Sequence, residues 1–157
     1  MTTSAAPVTV SYAIDTSHSH AQFKVRHMMI SNVRGEFSKV TGSVSFDESN
    51  PSASTVEAVL ETSTITTGDE QRDQHLKSAD FFAVDTFPTL TFASSRIIDR
   101  GNGQFDVAGE LTIRGVTQAM VLPVSFLGRA KDPWGTEKLA FETAVTIDRE
   151  EFGLVWN

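Results

Sequence analysis

Apolar and polar residues alternate along most of the chain. The pattern is cleanest where Phe105, Val107, Gly109, Leu111 and Ile113 interleave with Asp106, Ala108, Glu110, Thr112 and Arg114. A period of two puts one set on one face of a strand and the other set on the opposite face. The same rule gathers Met120, Leu122, Val124 and Phe126 on one face of a second strand, and Leu139, Phe141, Val145 and Ile147 on one face of a third. Upstream, Val8, Val10, Tyr12 and Ile14 alternate, then Phe23 and Val25, then Val44 and Phe46, then Val56, Ala58 and Leu60, with a further strand around Leu90 to Ile98. The chain is predicted to form about eight strands.

The connections read as turns. Asn102-Gly103 is the preferred pair of a two-residue hairpin, Gly115-Val116-Thr117 links two strands, and Asp132-Pro133-Trp134-Gly135 has the residues a type I turn favours. Hairpins imply antiparallel pairing. One stretch reads as helix: Thr67 and Glu70 have capping-box spacing, and a polar segment runs from Asp69 to about Ala79. Arg72 and Leu76 would share one face of it, and Asp73 and Lys77 another.

Strands with one polar and one apolar face must hide the apolar one, and a single short helix cannot cover it. The expectation is an all-β, up-and-down antiparallel barrel of about eight strands with the helix capping one end. A length of 157 residues suits one domain spanning 1–157. Zero cysteines remove disulfides, thiolate metal sites and thiol nucleophiles. Thirteen Lys+Arg against twenty Asp+Glu, a net charge of −7, repel phosphate backbones, so a nucleic-acid partner is not expected. No run of 18 apolar residues predicts a membrane span, and the opening Met1-Thr2-Thr3-Ser4 lacks the pattern of a secretory leader. The expected location is cytoplasmic, or periplasmic or secreted if a leader was removed before Met1.

No Gly-x-Ser-x-Gly, His-Glu-x-x-His or P-loop pattern is present. His18 and His20 lie two apart, on one strand face, and read either as the start of a metal site or as a polar strand entrance. His27 continues the register of Ala21, Phe23 and Val25, which aims it at the interior; it either meets a ligand or is satisfied within the core. Arg72-Asp73-Gln74-His75-Leu76 reads as a solvated helix or as a cap anchored by Leu76, Phe81, Phe82 and Phe87. Eleven Phe, with Phe23, Phe37, Phe46, Phe92, Phe105, Phe126 and Phe141 on inward faces, either fill a core or line a cavity.

These residues resemble the YceI-like family. The resemblance is carried by Ile14-Asp15 with His18-Ser19, by Phe23-x-Val25-x-His27 with Val33-Arg34-Gly35-x-Phe37, and by Arg72-Asp73-x-His75-Leu76 running to Phe81-Phe82. Phe87-Pro88-x-Leu90-x-Phe92, Gly109-x-Leu111-Thr112-Ile113-x-Gly115-Val116-Thr117 and Arg149-x-x-Phe152-Gly153-Leu154 complete it. The resemblance implies a lipocalin-like barrel that binds or transports an isoprenoid or other long-chain lipid, quinone-like lipids included, with no catalysis and no other cofactor. The family pattern usually continues past Trp156-Asn157 into a closing strand, so the seam is expected to close differently here or to stay open, which leaves a homodimer through the exposed edge as a candidate.

On this reading Phe23, Val25, Phe37, Val44, Phe46 and Leu60 line the pocket from the N-terminal half. Leu76, Phe81 and Phe92 follow, then Leu111, Ile113, Leu122, Val124, Phe126, Phe141 and Val145. His27, and after it Arg72, are the candidates for the head group. Two other classes compete: a lipid-modifying enzyme using His27, or Arg72, Asp73 and His75, as acid–base groups, and a solid-cored interaction domain.

Overall fold

The computed structural model describes residues 10–15, 19–27 and 31–154. They carry β1 (Val10–Ala13), β2 (Ala21–His27), β3 (Ser31–Phe37), β4 (Val40–Phe46), β5 (Thr55–Glu61) and β6 (Ile65–Thr66). The helix α1 (Glu70–Lys77) follows, then β7 (Thr89–Gly101), β8 (Gln104–Ile113), β9 (Val116–Lys131) and β10 (Glu137–Thr143). All pairings are antiparallel, in a seven-stranded sheet of order β1-β4-β5-β7-β8-β9-β10 and a three-stranded sheet of order β2-β3-β6.

The two sheets are one ladder with a bend in it. The Ser38 N–H donates to the Thr64 carbonyl (3.3 Å) and the Glu61 N–H to the Lys39 carbonyl (3.1 Å), so the β4–β5 pairing passes into the β3–β6 pairing without a break. With β1 and β2 continuing one another along the same neighbour, the ten short strands act as seven long ones in up-and-down order. That agrees with the expected up-and-down arrangement of about eight strands. The sheet curls into a half-barrel, and among the described residues β1 and β10 are its unpaired edges.

The turns follow from residues that tolerate positive φ. Asn102 (φ 57) and Gly103 (φ 74) make the hairpin between β7 and β8, as their type predicts. Between β8 and β9 the turn is Arg114-Gly115 (φ 53 and 73) rather than Gly115-Val116-Thr117, because Val116 already pairs with Ile113. The third C-terminal strand is shorter than the alternation suggests and ends at Thr143. Pro123 on β9 has no N–H for the next rung, and its carbonyl accepts the Thr143 hydroxyl instead (2.7 Å). Val145 and Ile147, expected on an inward strand face, therefore lie beyond β10 and are 47% and 38% exposed.

The helix spans 70–77 and is capped by Asp69, whose carboxylate accepts the Arg72 N–H at 3.1 Å. Thr67 does not cap it. Its N–H and hydroxyl both donate to Asp73 Oδ1, at 2.8 and 2.5 Å. This also removes the expected Asp73–Lys77 surface pair, since Asp73 is buried.

One solid core sits at the helix end, where Phe37, Ile65, Leu90, Ile113, Phe152 and Leu154 pack with Phe23, Leu76, Phe81 and Phe82 around them. Phe92, Ile97 and Val107 form a second cluster farther along β7 and β8. Gly109 permits it: a Cβ there would lie 2.3 Å from the Ala93 carbonyl oxygen and 2.7 Å from Phe92 Cζ. At the other end Phe46 meets Phe105, Phe126 and Phe141 with ring centroids 6.2, 6.3 and 5.8 Å away.

Candidate functional site

Between the two aromatic ends the concave face of the half-barrel encloses a trough of about 3250 Å³. Drug-sized pockets run to roughly 1,000 Å³, so this space is several times what a compact ligand needs. Both Phe105 and Ile113, the apolar ends of β8, line it. Eight residues of extended strand separate them, so the trough runs about 27 Å. Its walls are apolar because every strand turns one face of its alternation inward. Leu60, Leu111, Leu122 and Val124 keep part of their surface accessible although they face inward, which a closed core would not allow.

Phe23, Phe37, Val44, Phe46, Leu60, Arg72, Leu76 and Phe81 line the trough, and so do Phe92, Leu111, Ile113, Leu122, Val124, Phe141 and Val145. Phe126 does not. β9 carries an irregularity where Phe141 pairs with Phe126 and Ala140 with Gly128. The extra residue, Leu127, faces the trough instead, while Phe126 packs against Phe141 with centroids 5.2 Å apart. The side chains of Val25 and His27 lie outside the described residues, as does His18. Among the described residues no three His, Asp or Glu side chains gather as a metal would require.

Sequence reasoning missed Met120, Val56, Val107, Leu127 and Trp134 among the lining residues. The first three stood in the alternation and needed only to be taken as lining. Leu127 depends on the irregularity in β9, and Trp134 sits on a turn where no periodicity exists.

Polar groups collect at the two ends. Near α1, Arg72 Nε donates to the Thr67 hydroxyl (2.8 Å) and Nη2 to the Thr67 carbonyl (3.1 Å), which fixes the guanidinium at the trough wall. His75 Nε2 lies 2.9 Å from Asp80 Oδ2, and its ring stands edge-on to Phe81 with centroids 5.1 Å apart. Arg72 and Asp73 both engage Thr67, while His75 engages Asp80.

At the far end, Arg129 bonds Glu48 and, at 3.1 Å, Glu137. The Glu48 carboxylate, and behind it Glu137, hold its guanidinium still more firmly in the charged form. Lys138 Nζ meets Asp15 Oδ2 at 2.5 Å, and that hydrogen bond raises the ammonium pKa. This pair spans the seam between the last strand and the residues after the first.

A curled antiparallel sheet around an elongated apolar trough, one end filled by a helix and its aromatic anchors, defines a lipocalin-like half-barrel. Within that class the chain belongs to the YceI-like family, whose YceI-like domain matches residues 12–157. A UPF0312 protein of Vibrio cholerae is 37% identical over 145 residues, covering 91% of this chain and 77% of its own length. One of Ectopseudomonas mendocina is 39% identical over 145 residues, covering 91% and 76%. Among solved structures, the Campylobacter jejuni YCEI protein matches with a TM-score of 0.72 at 32% identity, covering 90% of this chain and 83% of that one. Burkholderia cenocepacia BcnA shares the fold with a TM-score of 0.82 at 24% identity, covering 91% and 86%.

Proposed function

We propose that the protein binds and carries a long-chain lipid, of the isoprenoid or a similar amphiphilic class, in the trough, and that it acts by sequestration rather than catalysis. The observation that supports this most is the trough itself: about 3250 Å³ lined by inward aliphatic and phenylalanine side chains along the whole of β8. An extended hydrocarbon matches that shape better than a compact ring system does. Each methylene taken from water contributes about 0.8 kcal/mol, but one taken from a membrane contributes almost nothing further. Apolar walls therefore make a lipid soluble without selecting it. Selection falls to the trough's length and to polar groups at its ends, with Arg72 our candidate at the helix end.

The experiment is native mass spectrometry of gently purified protein, followed by solvent extraction. A bound mass that leaves with organic solvent and identifies as a long-chain lipid is the expected result. Protein that stays lipid-free after incubation with dispersed isoprenoid and fatty-chain lipids would overturn the reading. Arg72→Ala is expected to change which lipid is retained while the folded spectrum stays the same.

A further inference from the structure

The β9–β10 hairpin outruns the sheet it belongs to. β8 stops pairing with β9 at Gln104 and Ser125, whereas β10 follows β9 on to Glu137 and Lys131. Beyond Phe126 the hairpin is a two-stranded ribbon, roughly 15–20 Å long at about 3.4 Å per residue. It leans over the mouth of the trough, where Arg129 reaches Glu48 and Lys138 reaches Asp15.

At the tip of this ribbon Trp134 is 86% exposed, the highest value among the exposed large apolar side chains described. The turn that displays it is braced: Asp132 Oδ1 accepts the N–H groups of Trp134 (3.0 Å) and Thr136 (2.9 Å), and the Asp132 carbonyl accepts the Gly135 N–H (2.9 Å). The indole is thus held out in water by a rigid turn. Among the described residues Lys131, at the last rung below it, has no carboxylate within ion-pair distance, in contrast to Arg129 and Lys138. Residues lining the trough as a whole include six Lys and Arg against five Asp and Glu, while the whole chain has 13 against 20, so the concave face is less acidic than the rest of the chain.

We propose that the Trp134 tip docks on a phospholipid bilayer, with the indole in the interfacial layer and Lys131 against lipid phosphates, so that cargo passes between bilayer and trough without crossing bulk water. Indoles favour that layer because one part of the ring system is apolar and the other carries an N–H donor. A protein partner is the weaker fit. A stable protein interface buries about 800 Å² on each side, and a narrow ribbon presenting one indole offers far less, whereas a bilayer accepts a single point of insertion. The inference rests on the lipid-carrying reading above.

The test uses vesicles of phosphatidylcholine and phosphatidylglycerol, with and without brominated acyl chains. In a Trp156→Phe background, Trp134 emission is expected to shift to the blue and to be quenched by the brominated lipid. Trp134→Ala, made in the parent chain and so independent of whether that background folds, should weaken vesicle partition about tenfold. Lys131→Ala should weaken it about fivefold, an effect that fades in high salt. Parent protein that fails to sediment with the vesicles, or a Trp134→Ala variant that sediments equally well, overturns the docking. Lipid in the parent without docking would sink the docking alone. Docking by a parent that never holds lipid would sink the carrier reading alone.

Discussion

The Asp73 carboxylate takes both donors of Thr67 on a single oxygen, the N–H at 2.8 Å and the hydroxyl at 2.5 Å. Through the same hydroxyl, Thr67 holds Arg72 against the trough wall. Two residues adjacent in sequence and opposite in charge are thereby locked on one threonine, which ties the helix to the end of β6.

Asp73→Ala leaves the Thr67 donors without their acceptor in a buried place, and a loss of about 2–3 kcal/mol is expected. Asp73→Asn, which keeps an acceptor oxygen, should lose less. Urea midpoints at constant m-value measure both. An Ala variant within about 0.5 kcal/mol of the parent would show the lock to be ornamental.

Gly109→Ala is expected to destabilise by about 3 kcal/mol, the upper part of the overpacking range, because the new methyl meets a backbone carbonyl as well as the Phe92 ring. Shortening Phe92 to Leu in the same chain relieves the ring contact and not the 2.3 Å approach to Ala93. Less than half of the loss should return, as read from thermal or urea unfolding.

Leu122→Trp separates a trough from a filled core. In a close-packed interior the added volume costs about 1–3 kcal/mol; where Leu122 borders open space, the cost should stay under about 1 kcal/mol while the amount of co-purifying lipid falls. Equal lipid content in parent and variant would move the cargo away from the middle of β9.

Asp47 governs part of the acid limb of stability. Its buried carboxyl is held below the ordinary value of 3.8, first by the Ser49 hydroxyl at 2.7 Å and then by the N–H groups of Asn50 and Ser49, with burial opposing them. A group whose pKa is depressed in the folded state adds stability above its unfolded pKa, and that stability is lost as pH falls through the folded pKa. Unfolding midpoints should therefore drop below about pH 3.8, and Ser49→Ala should flatten that drop by bringing folded and unfolded values together. Parallel pH profiles for parent and variant would remove Asp47 from the account.

Much of the fold was legible because a strand's two faces are written at single-residue resolution. Phe105 to Ile113 read as β8 with its inward side correctly placed, and Asn102-Gly103 announced a hairpin through the conformations those residues tolerate. The inward faces of β4, β5, β8 and β9 likewise supplied part of the trough's apolar lining, Val44, Phe46, Leu60, Leu111, Ile113, Leu122 and Val124 among it. Alternation fails wherever the ladder slips. At Ser94 and Arg96, whose partners on β8 are Gly109 and Ala108, β7 takes in an extra residue, so Phe92 and Ile97 face the same side although they lie five apart. The slip at Leu127 adds a residue to β9 in the same way and brings Leu127 to the trough, while Phe126 packs into the ring cluster of Phe46 and Phe141.

By itself, then, the sequence determined which residues could be strands, where most turns fall, and that an apolar face must be hidden; these depend on neighbours a few positions apart. Only the tertiary structure decided that the hidden face stays partly empty, that Asp73 faces Thr67 rather than Lys77, and that the β9–β10 ribbon overhangs the mouth of the trough. Those outcomes depend on how far the sheet curls and on where each ladder loses a rung, as at Pro123. Such geometry is set by contacts between residues far apart in the chain, which no local pattern records.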